Sequence, residues 1–337
     1  MTSRELVYAT LEFRNKSGRV PRQMWLLPWA EIHHGDMIKK IRTEFEEDIV
    51  SAPVSLKSPT VTKGDPYKVG EYIDDWGCRF SNIHEGIFGE VKEALVRDEE
   101  WADVDNIHIP VEWLDFDMDE VNAFCRNTDK FVLSGHCPRP FEQLQFIRTT
   151  QELYMDLMDP SENMLAFMKK MHTFYCDLME KWAKTEIDGL YFMDDWGSQQ
   201  SLLINPKLWD AFFRPMYKDF IDIAKRYGKK TFMHSDGYTL DIYPRMIELG
   251  LDAFNTQIFC MGLDKLEQFK GKITFWGEID RQHLLPEGTT QDIEKAVKEV
   301  YSRLWCDGGC IAQCEFGAGA KPENVYAVYQ TWASLRP

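Results

Sequence analysis

The chain has 337 residues, of which 44% are hydrophobic and 28% are charged. This balance is typical of a globular protein and excludes a chain that stays disordered. The formal net charge of −16 is opposite in sign to that of a protein that binds phosphate backbones, which argues against nucleic acid as a partner.

The sequence carries no membrane or export signal. No apolar stretch approaches the roughly 20 residues that span a bilayer, and residues 1–6 lack the apolar region of a signal peptide. We therefore expect a cytoplasmic protein with no membrane partner. The cytosol keeps thiols reduced, so the eight scattered cysteines are expected to be core residues or metal ligands before disulfides.

The first half of the chain has few regular signals. Residues 24–29 predict a first strand, and residues 131–135 predict a strand in the middle of the fold. Between them, residues 72–78 lie in a stretch rich in glycine, aspartate and aromatic side chains. Long connections of this kind are usually functional, so we expect this stretch to cross over the ends of the strands.

The second half alternates strands with helices. Apolar runs predict strands at residues 188–194, 230–234, 251–258, 273–276 and 310–314. Helical periodicity predicts helices at residues 206–227, 240–249, 290–304 and 322–335, with Gly228 and Gly250 as stops. Crossovers that carry a helix require parallel strands. An open doubly wound sheet and a closed barrel both satisfy this pattern, and no linker divides residues 1–337, so we expect a single domain.

The predicted strands share a feature at their C-terminal ends. Strand after strand ends in a group that can hold a proton or a metal ion: Asp194 and Asp195, His234 and Asp236, Cys260, Glu278 and Cys314. The C-terminal ends of parallel strands in a barrel converge on one mouth, where such enzymes place their chemistry. His234, Glu278 and Cys314 together offer the imidazole, carboxylate and thiolate donors that zinc accepts, with one position left open for catalysis.

Several motifs resemble one family. They are RVPRQMW at residues 19–25, FMHSDG at 232–237, GEID at 277–280, LL at 284–285, GTT at 288–290 and PENV at 322–325. These stretches resemble the uroporphyrinogen decarboxylase family, which includes the cobalamin-dependent methyltransferases. The resemblance implies a (β/α)8 TIM barrel, with an N-terminal extension and an insertion over the barrel mouth, and so favours the closed barrel over the open sheet.

The resemblance to the methyltransferase branch implies which residues form the metal site and which reaction they serve. Its members hold zinc with a His-x-Cys pair and a distant cysteine; here the pair reads His234 and Asp236, and the distant cysteine falls on Cys314. The departure at Asp236 leaves that residue, Glu278 or Cys260 as the replacement ligand. Such enzymes move a methyl group from an O-methyl aromatic compound, a methylamine or a similar molecule to the cobalt of a corrinoid, which a partner protein must carry here.

The resemblance also implies roles for the remaining candidates. Asp195 or Asp236 would act as the acid or would orient a metal ligand, while Trp29, Asp75 and Trp76 would wall an apolar substrate pocket. Two other functions stay open. A cofactor-free decarboxylase on the same barrel is the alternative, although the basic motif that the decarboxylase carries after its first strand is absent here. A catalytically silent or binding barrel is the third.

Overall fold

The computed structural model describes residues 1–335, and eleven β-strands form two sheets in it. In chain order the strands are β1 (Arg22–Leu26), β2 (Ile49–Ser51), β3 (Gly70–Ile73), β4 (Arg79–Asn82), β5 (Glu90–Val91), β6 (Phe131–Leu133), β7 (Gly189–Met193), β8 (Lys230–Ser235), β9 (Ala253–Thr256), β10 (Thr274–Trp276) and β11 (Cys310–Phe316). Eight of them form one sheet in the order β1-β11-β10-β9-β8-β7-β6-β2, with parallel neighbours.

This sheet curls until its two end strands, β1 and β2, nearly meet. The Asp48 amide, just before β2, donates to the Arg22 carbonyl of β1 over 2.8 Å. The Met24 amide of β1 donates to the Glu47 carboxylate over 2.9 Å. Eight parallel strands in a nearly closed ring, with helices outside, confirm the predicted (β/α)8 barrel.

Helices cover the outside of the barrel. They are α1 (Ser3–Leu11), α2 (Pro28–Glu44), α3 (Met118–Arg126), α4 (Pro140–Arg148), α5 (Thr150–Met158), α6 (Glu162–Ala183), α7 (Pro206–Leu208), α8 (Arg214–Arg226), α9 (Tyr243–Leu249), α10 (Ile258–Met261), α11 (Leu263–Leu266), α12 (Leu284–Glu287), α13 (Thr290–Leu304) and α14 (Pro322–Ser334). Within residues 1–335, no helix has both the length and the apolar character needed to cross a membrane.

The element boundaries confirm much of the sequence pattern. Helix α13 spans the predicted residues, and Gly250 ends α9 in the left-handed conformation at φ 87°. Two predictions need correction. The first strand stops at Leu26 because Pro28 opens α2, so Trp29 lies on a helix. The predicted helix 206–227 is interrupted by a π-helical turn at Trp209–Phe213, close to Pro215, which has no amide hydrogen to donate.

The N-terminal extension closes the base of the barrel. Val7 and Leu11 of α1 are buried against the barrel's interior residues, and Phe131 at the start of β6 packs edge-on to Tyr8 at 5.1 Å. Arg4 pairs with Asp188, just before β7, over 2.9 Å. All these partners lie at the N-terminal ends of the strands. Helix α1 therefore leaves the opposite, C-terminal ends free for a site.

The insertion between β2 and β6 lies at the barrel mouth. It contains the small antiparallel sheet β3-β4-β5. Its Gly86 carbonyl accepts a hydrogen bond from the Trp29 amide over 3.1 Å, at the start of α2, which directly follows the C-terminal end of β1. Its Trp76 is buried against Phe174 and Tyr175 of α6, with ring centroids 5.8 and 5.7 Å away. The predicted excursion over the strand ends is confirmed.

Candidate active site

Three polar side chains meet at the C-terminal ends of β7 and β8. The His234 Nε2 atom lies 3.6 Å from Asp195 Oδ1 and 3.5 Å from Asp236 Oδ1. One ligand atom from each of the three residues lies within 4.8 Å of the other two. We call Asp195, His234 and Asp236 the mouth triad. The structure thus brings together both predicted acids and one predicted metal ligand.

Two glycines allow the ends of β7 and β8 to approach closely. The Gly197 amide donates to the Asp236 carbonyl over 3.0 Å, and the Asp236 amide donates to Asp195 Oδ1 over 3.0 Å. Gly237 adopts φ +75°, and a Cβ atom there would lie 2.1 Å from the Gly197 carbonyl oxygen. Only glycine fits such a contact without moving the backbone. The sequences DDWG and HSDG therefore position Asp195 beside Asp236.

The orientation of His234 is fixed by Asn255 of β9. The Asn255 amide nitrogen donates to the Trp276 carbonyl and, over 3.1 Å, to Gln313 Oε1. The Asn255 oxygen must therefore face the imidazole, where it lies 2.6 Å from His234 Nδ1. This arrangement places the Nδ1 proton toward Asn255 and aims Nε2 at the two aspartates. Burial lowers the pKa of His234, but Asp236 and Asp195 outweigh it and raise the pKa.

A second layer of charges surrounds Asp236. Arg281 donates to Asp236 Oδ2 and also pairs with Glu315 over 2.6 Å, while its Nε lies 3.6 Å from Glu278 Oε2. Buried Asp236 Oδ1 and Glu278 Oε1 find no hydrogen-bond partner among residues 1–335. Burial raises the pKa of Glu278 to about 8, against the opposing charge of Arg281. At neutral pH, Glu278 is therefore mostly a protonated acid beside a carboxylate.

Glu142 of α4 adds another acid that the sequence did not reveal. Burial raises its pKa to about 7, against the guanidinium of Arg139, whose Nη1 lies 3.3 Å from the carboxylate. Asp195 and His234 both act on this titration, which places Glu142 near the mouth triad. Burial also raises the pKa of Asp195, with Asp236 adding to the effect. The mouth thus holds three carboxyl groups with raised pKa values, those of Glu142, Asp195 and Glu278.

The adjacent Asp194 is part of the framework instead. It is fully buried and accepts hydrogen bonds from the amides of Phe141 and Glu142, over 3.1 and 2.7 Å, and from the Tyr217 hydroxyl over 2.5 Å. These amides lie at the first turn of α4, whose orphan donors need acceptors. Asp194 therefore anchors α4 and α8 to the end of β7, and of the two neighbouring aspartates only Asp195 belongs to the mouth triad.

A cavity of about 750 Å³ lies beside the triad. Trp25 is one of its walls and packs edge-on against His234 and Trp276, with centroids 5.1 and 5.2 Å apart. Tyr191 packs edge-on against Trp276 at 5.8 Å, and Tyr67 of the insertion adds a fourth aromatic side chain to a lining that also includes the charged Glu31, Arg42, Glu47 and Glu315. A cavity of this volume is large enough for a small molecule. A second cavity of about 110 Å³ is lined by Glu278, Arg281 and Cys260 among others.

Cys314 does not join the group. Its neighbours Gln313 and Glu315 face the barrel interior, where they contact Asn255 and Arg281. Successive side chains of a strand point to opposite faces, so the Cys314 side chain faces the helices. It is fully buried there, and its carbonyl accepts from Tyr329 of α14 over 3.4 Å. The expected ligand set of His234, Glu278 and Cys314 is therefore not assembled around one point.

The predicted pocket residues Trp29, Asp75 and Trp76 are not among the residues that line the cavity of about 750 Å³, and they lie in different environments. Trp29 is half-buried and stacks on His33 at 4.5 Å. Asp75 accepts from the Trp113 indole over 2.8 Å and is also bound by Thr62. Trp76 is part of the core against α6. The aromatic side chain nearest to the triad is Trp25, which residue alternation within the first strand could have indicated.

Comparisons with known proteins give two informative matches. The sequence matches the family model described as uroporphyrinogen decarboxylase (URO-D) over residues 78–334. The structure aligns with a methyltransferase from Methanosarcina mazei at TM-score 0.68 and 15% identity, covering 99% of this chain and 98% of that one. At this identity the likeness shows a shared fold. No curated protein matches the sequence.

Two further solved structures align less well. A 3-keto-D-glucoside 4-epimerase from E. coli aligns at TM-score 0.37 and 15% identity, covering 64% of this chain and 83% of that one. An endo-β-1,4-xylanase from Gloeophyllum trabeum aligns at TM-score 0.40 and 11% identity, covering 65% and 81%. Scores this low carry no argument about the fold or the chemistry.

Proposed function

The chain belongs to the uroporphyrinogen decarboxylase family, and we propose that it is a methyltransferase that passes a methyl group from a small methylated compound to the cobalt of a corrinoid protein. The donor would be an O-methyl aromatic compound, a methylamine or a similar molecule. The observation that carries the proposal is the mouth triad beside an aromatic cavity. The whole-chain likeness to the methyltransferase from Methanosarcina mazei supports it at the level of the fold.

The mouth triad suits a zinc ion. Imidazole nitrogen and carboxylate oxygen are established zinc donors, and the triad offers one nitrogen and two oxygens within 4.8 Å. The hydrogen bond from His234 Nδ1 to Asn255 directs Nε2 toward these oxygens, as expected of a metal-binding histidine. Asp236 Oδ1 is buried without a hydrogen-bond partner in the described part of the chain, so a cation would satisfy it. Asp195, His234 and Asp236 would hold the metal.

Zinc held there would supply Lewis acidity to the oxygen or nitrogen that leaves the methyl group. Glu278 would supply the proton. Its carboxyl group is buried and carries a raised pKa of about 8, so it is mostly protonated at neutral pH and can donate to the leaving heteroatom as the bond to the methyl carbon breaks. We therefore assign to Glu278 the acid role that the sequence suggested for Asp195 or Asp236.

The aromatic cavity would position the donor. Trp25, Tyr191 and Trp276 present apolar surfaces beside His234, and such surfaces bind an aromatic or methylated molecule while excluding water from the reacting carbon. The mouth above the cavity is where a partner that carries the corrinoid would dock, because the N-terminal ends of the strands are covered by α1.

The charges at the mouth favour this proposal over the decarboxylase alternative. A pocket for a substrate with several carboxylates needs an excess of cations. Here Arg281 is engaged by Asp236 and Glu315, and Arg139 lies 3.3 Å from Glu142. Both arginines are thus matched by protein carboxylates. A decarboxylase would be indicated by release of CO2 from a carboxylated substrate that continues after zinc is removed.

The test compares metal content and methyl transfer in matched variants. We expect His234→Ala and Asp236→Asn each to bind one zinc fewer per chain than wild type, and Cys314→Ala to bind as many as wild type. With a reduced Co(I) corrinoid protein and a panel of methyl donors, the first two variants should lose methylation of cobalt, followed by its absorbance. Unchanged zinc content in His234→Ala and Asp236→Asn would overturn the metal assignment. Absence of methyl transfer by zinc-loaded wild type across the panel would overturn the function.

A further inference from the structure

Away from the mouth, α6 and α8 bring together a second set of metal-binding side chains. His172 and Cys176 lie four residues apart on α6, a spacing that places both side chains on one face of a helix. Asp219 of the neighbouring α8 faces them, and its Oδ2 lies 2.8 Å from His172 Nε2. Imidazole, thiolate and carboxylate are the donor types that zinc prefers. We call His172, Cys176 and Asp219 the helix triad.

The distances within the helix triad are close to those around a bound ion. The Cys176 Sγ atom lies 3.5 Å from His172 Nε2. A tetrahedral zinc with bonds of about 2.3 Å to sulfur and about 2.0–2.1 Å to nitrogen holds these two atoms about 3.6 Å apart. All three ligand atoms lie within 4.8 Å of one another. The Cys176 Sγ atom also lies 3.9 Å from His172 Nδ1, so the two side chains would rotate to direct Sγ and Nε2 at one ion, on Cα positions that α6 and α8 already fix.

The surroundings allow a cation to enter and favour its charge. The Asp219 side chain is 54% exposed and that of His172 is 20% exposed, so the site opens to solvent and a water molecule can complete the coordination. Burial raises the pKa of the Cys176 thiol, the carboxylates of Asp219, Asp177 and Glu180 raise it further, and the guanidinium of Arg226, which pairs with Glu180, lowers it. The local charge is therefore negative before any ion binds.

We propose that His172, Cys176 and Asp219 form a second divalent-cation site, selective for zinc and similar thiophilic ions, that links α6 to α8 on the outer wall of the barrel. The site is separate from the mouth triad in position and in chemistry, since it contains a cysteine and the mouth triad does not. Ligands from two helices imply a structural role: zinc there would stabilise the pairing of α6 with α8.

Cobalt(II) distinguishes this site from the mouth triad by its spectrum. Cobalt bound to a thiolate absorbs in the near ultraviolet, whereas cobalt bound only to nitrogen and oxygen ligands does not. Metal-free protein, reduced and titrated with Co(II), should develop this absorption with the intensity of one thiolate ligand per chain, complete by two equivalents because the mouth triad binds the other. Cys176→Ser should abolish it, and His172→Ala and Asp219→Asn should weaken Co(II) and Zn(II) binding by more than the roughly 10–100-fold that loss of a supporting contact costs. The exposed Cys306 supplies the control: Cys306→Ser should keep the band.

A band that persists in Cys176→Ser, or zinc affinity in His172→Ala equal to that of wild type, would overturn the proposal. The variant Asp236→Asn separates it from the proposed function, because it should keep the thiolate band while losing the mouth ion. Circular dichroism of each metal-free variant checks folding. Zinc should also raise the melting temperature of Asp236→Asn but not that of Asp236→Asn combined with Cys176→Ser, and equal shifts in both would contradict a structural site.

Discussion

His234 Nδ1 lies 2.6 Å from Asn255 Oδ1, and the amide nitrogen of Asn255 is engaged by the Trp276 carbonyl and by Gln313. One asparagine on β9 thus determines which imidazole nitrogen of His234 faces Asp195 and Asp236. Because Asn255 cannot turn its oxygen away without losing both donations, the orientation of His234 is set before any ion or substrate arrives.

Asn255→Leu should weaken zinc binding at the mouth triad. Without the acceptor for Nδ1–H, the imidazole can rotate and its tautomer is no longer fixed, so we expect roughly 10–100-fold weaker zinc binding. Competition with a chromophoric chelator measures the change. Gln199→Ala is the matched control at the same mouth, since Gln199 bonds Gln257 over 3.3 Å instead of the triad, and it should bind as wild type. Equal affinities for both variants would contradict the assigned role of Asn255.

Glu278→Gln should lower the rate of methyl transfer at neutral pH by about 10²–10⁴-fold, the usual contribution of a general acid. In wild type, the rate should fall as the pH rises through about 8, the pKa that burial gives Glu278. The variant should lack this limb of the pH profile. Glu294→Gln, at an exposed position on α13, is the control. A falling limb that persists in Glu278→Gln would assign the proton to another group.

The same titration predicts a dependence of stability on pH. The folded pKa of Glu278 is raised above its ordinary value of 4.5, so the folded state holds a proton that the unfolded state releases. This contribution to stability is full below pH 4.5 and is lost as the pH rises toward about 8. Glu278→Gln, which stays neutral, should therefore gain stability relative to wild type between those values. Urea denaturation at pH 5 and pH 8 measures the difference, which should be larger at pH 8.

Gly237→Ala should destroy the mouth triad. A methyl group there meets the Gly197 carbonyl at 2.1 Å on a backbone with φ +75°, so β7 and β8 must separate, at a cost of about 2 kcal/mol or more. We expect loss of one zinc and a lower free energy of unfolding. Gly35→Ala, on α2 with open space around it, should instead be neutral or stabilise by about 0.4–1 kcal/mol. Normal zinc content in Gly237→Ala would refute the role of the glycine contact.

Asp194→Ala should destabilise the barrel without changing the identity of the metal ligands. It removes the acceptor for the Phe141 and Glu142 amides and for the Tyr217 hydroxyl, which costs about 3 kcal/mol or more when donors stay buried. Tyr217→Phe removes one of these bonds together with the bond that the Trp196 indole donates to the Tyr217 hydroxyl, and should cost about 1–2 kcal/mol. Denaturant unfolding measures both. Similar losses in the two variants would mean that the helix anchor contributes little.

The sequence predicted the barrel and part of the site. Asp195, His234 and Asp236 were predicted because C-terminal strand ends of a barrel converge, and they do meet. Asn255 was within reach of the same rule, since it is a polar residue near the C-terminal end of β9. The metal ligation of these residues stays a prediction.

Other contacts depend on side-chain direction and could not be predicted from strand position alone. Cys314 lies on the correct strand, but the pleat turns its side chain toward the helices and turns Gln313 and Glu315 inward. If the inward-facing residues of a strand are misjudged by one position, a core residue is therefore predicted to be a ligand. Glu142 and Arg281 come from segments after the strands, whose approach to the mouth depends on helix packing that no local pattern encodes.

The near-meeting of β1 and β2 leaves a seam in the barrel wall. At Met24 the acceptor is the Glu47 side chain, not a strand carbonyl, and side chains change rotamer far faster than a paired strand separates. The Met24 amide should thus exchange its hydrogen with solvent sooner than the Phe232 amide, inside the continuous run of paired strands. Residues from both sides of the seam line the aromatic cavity. The part of the barrel wall that opens most readily is therefore also a wall of that cavity.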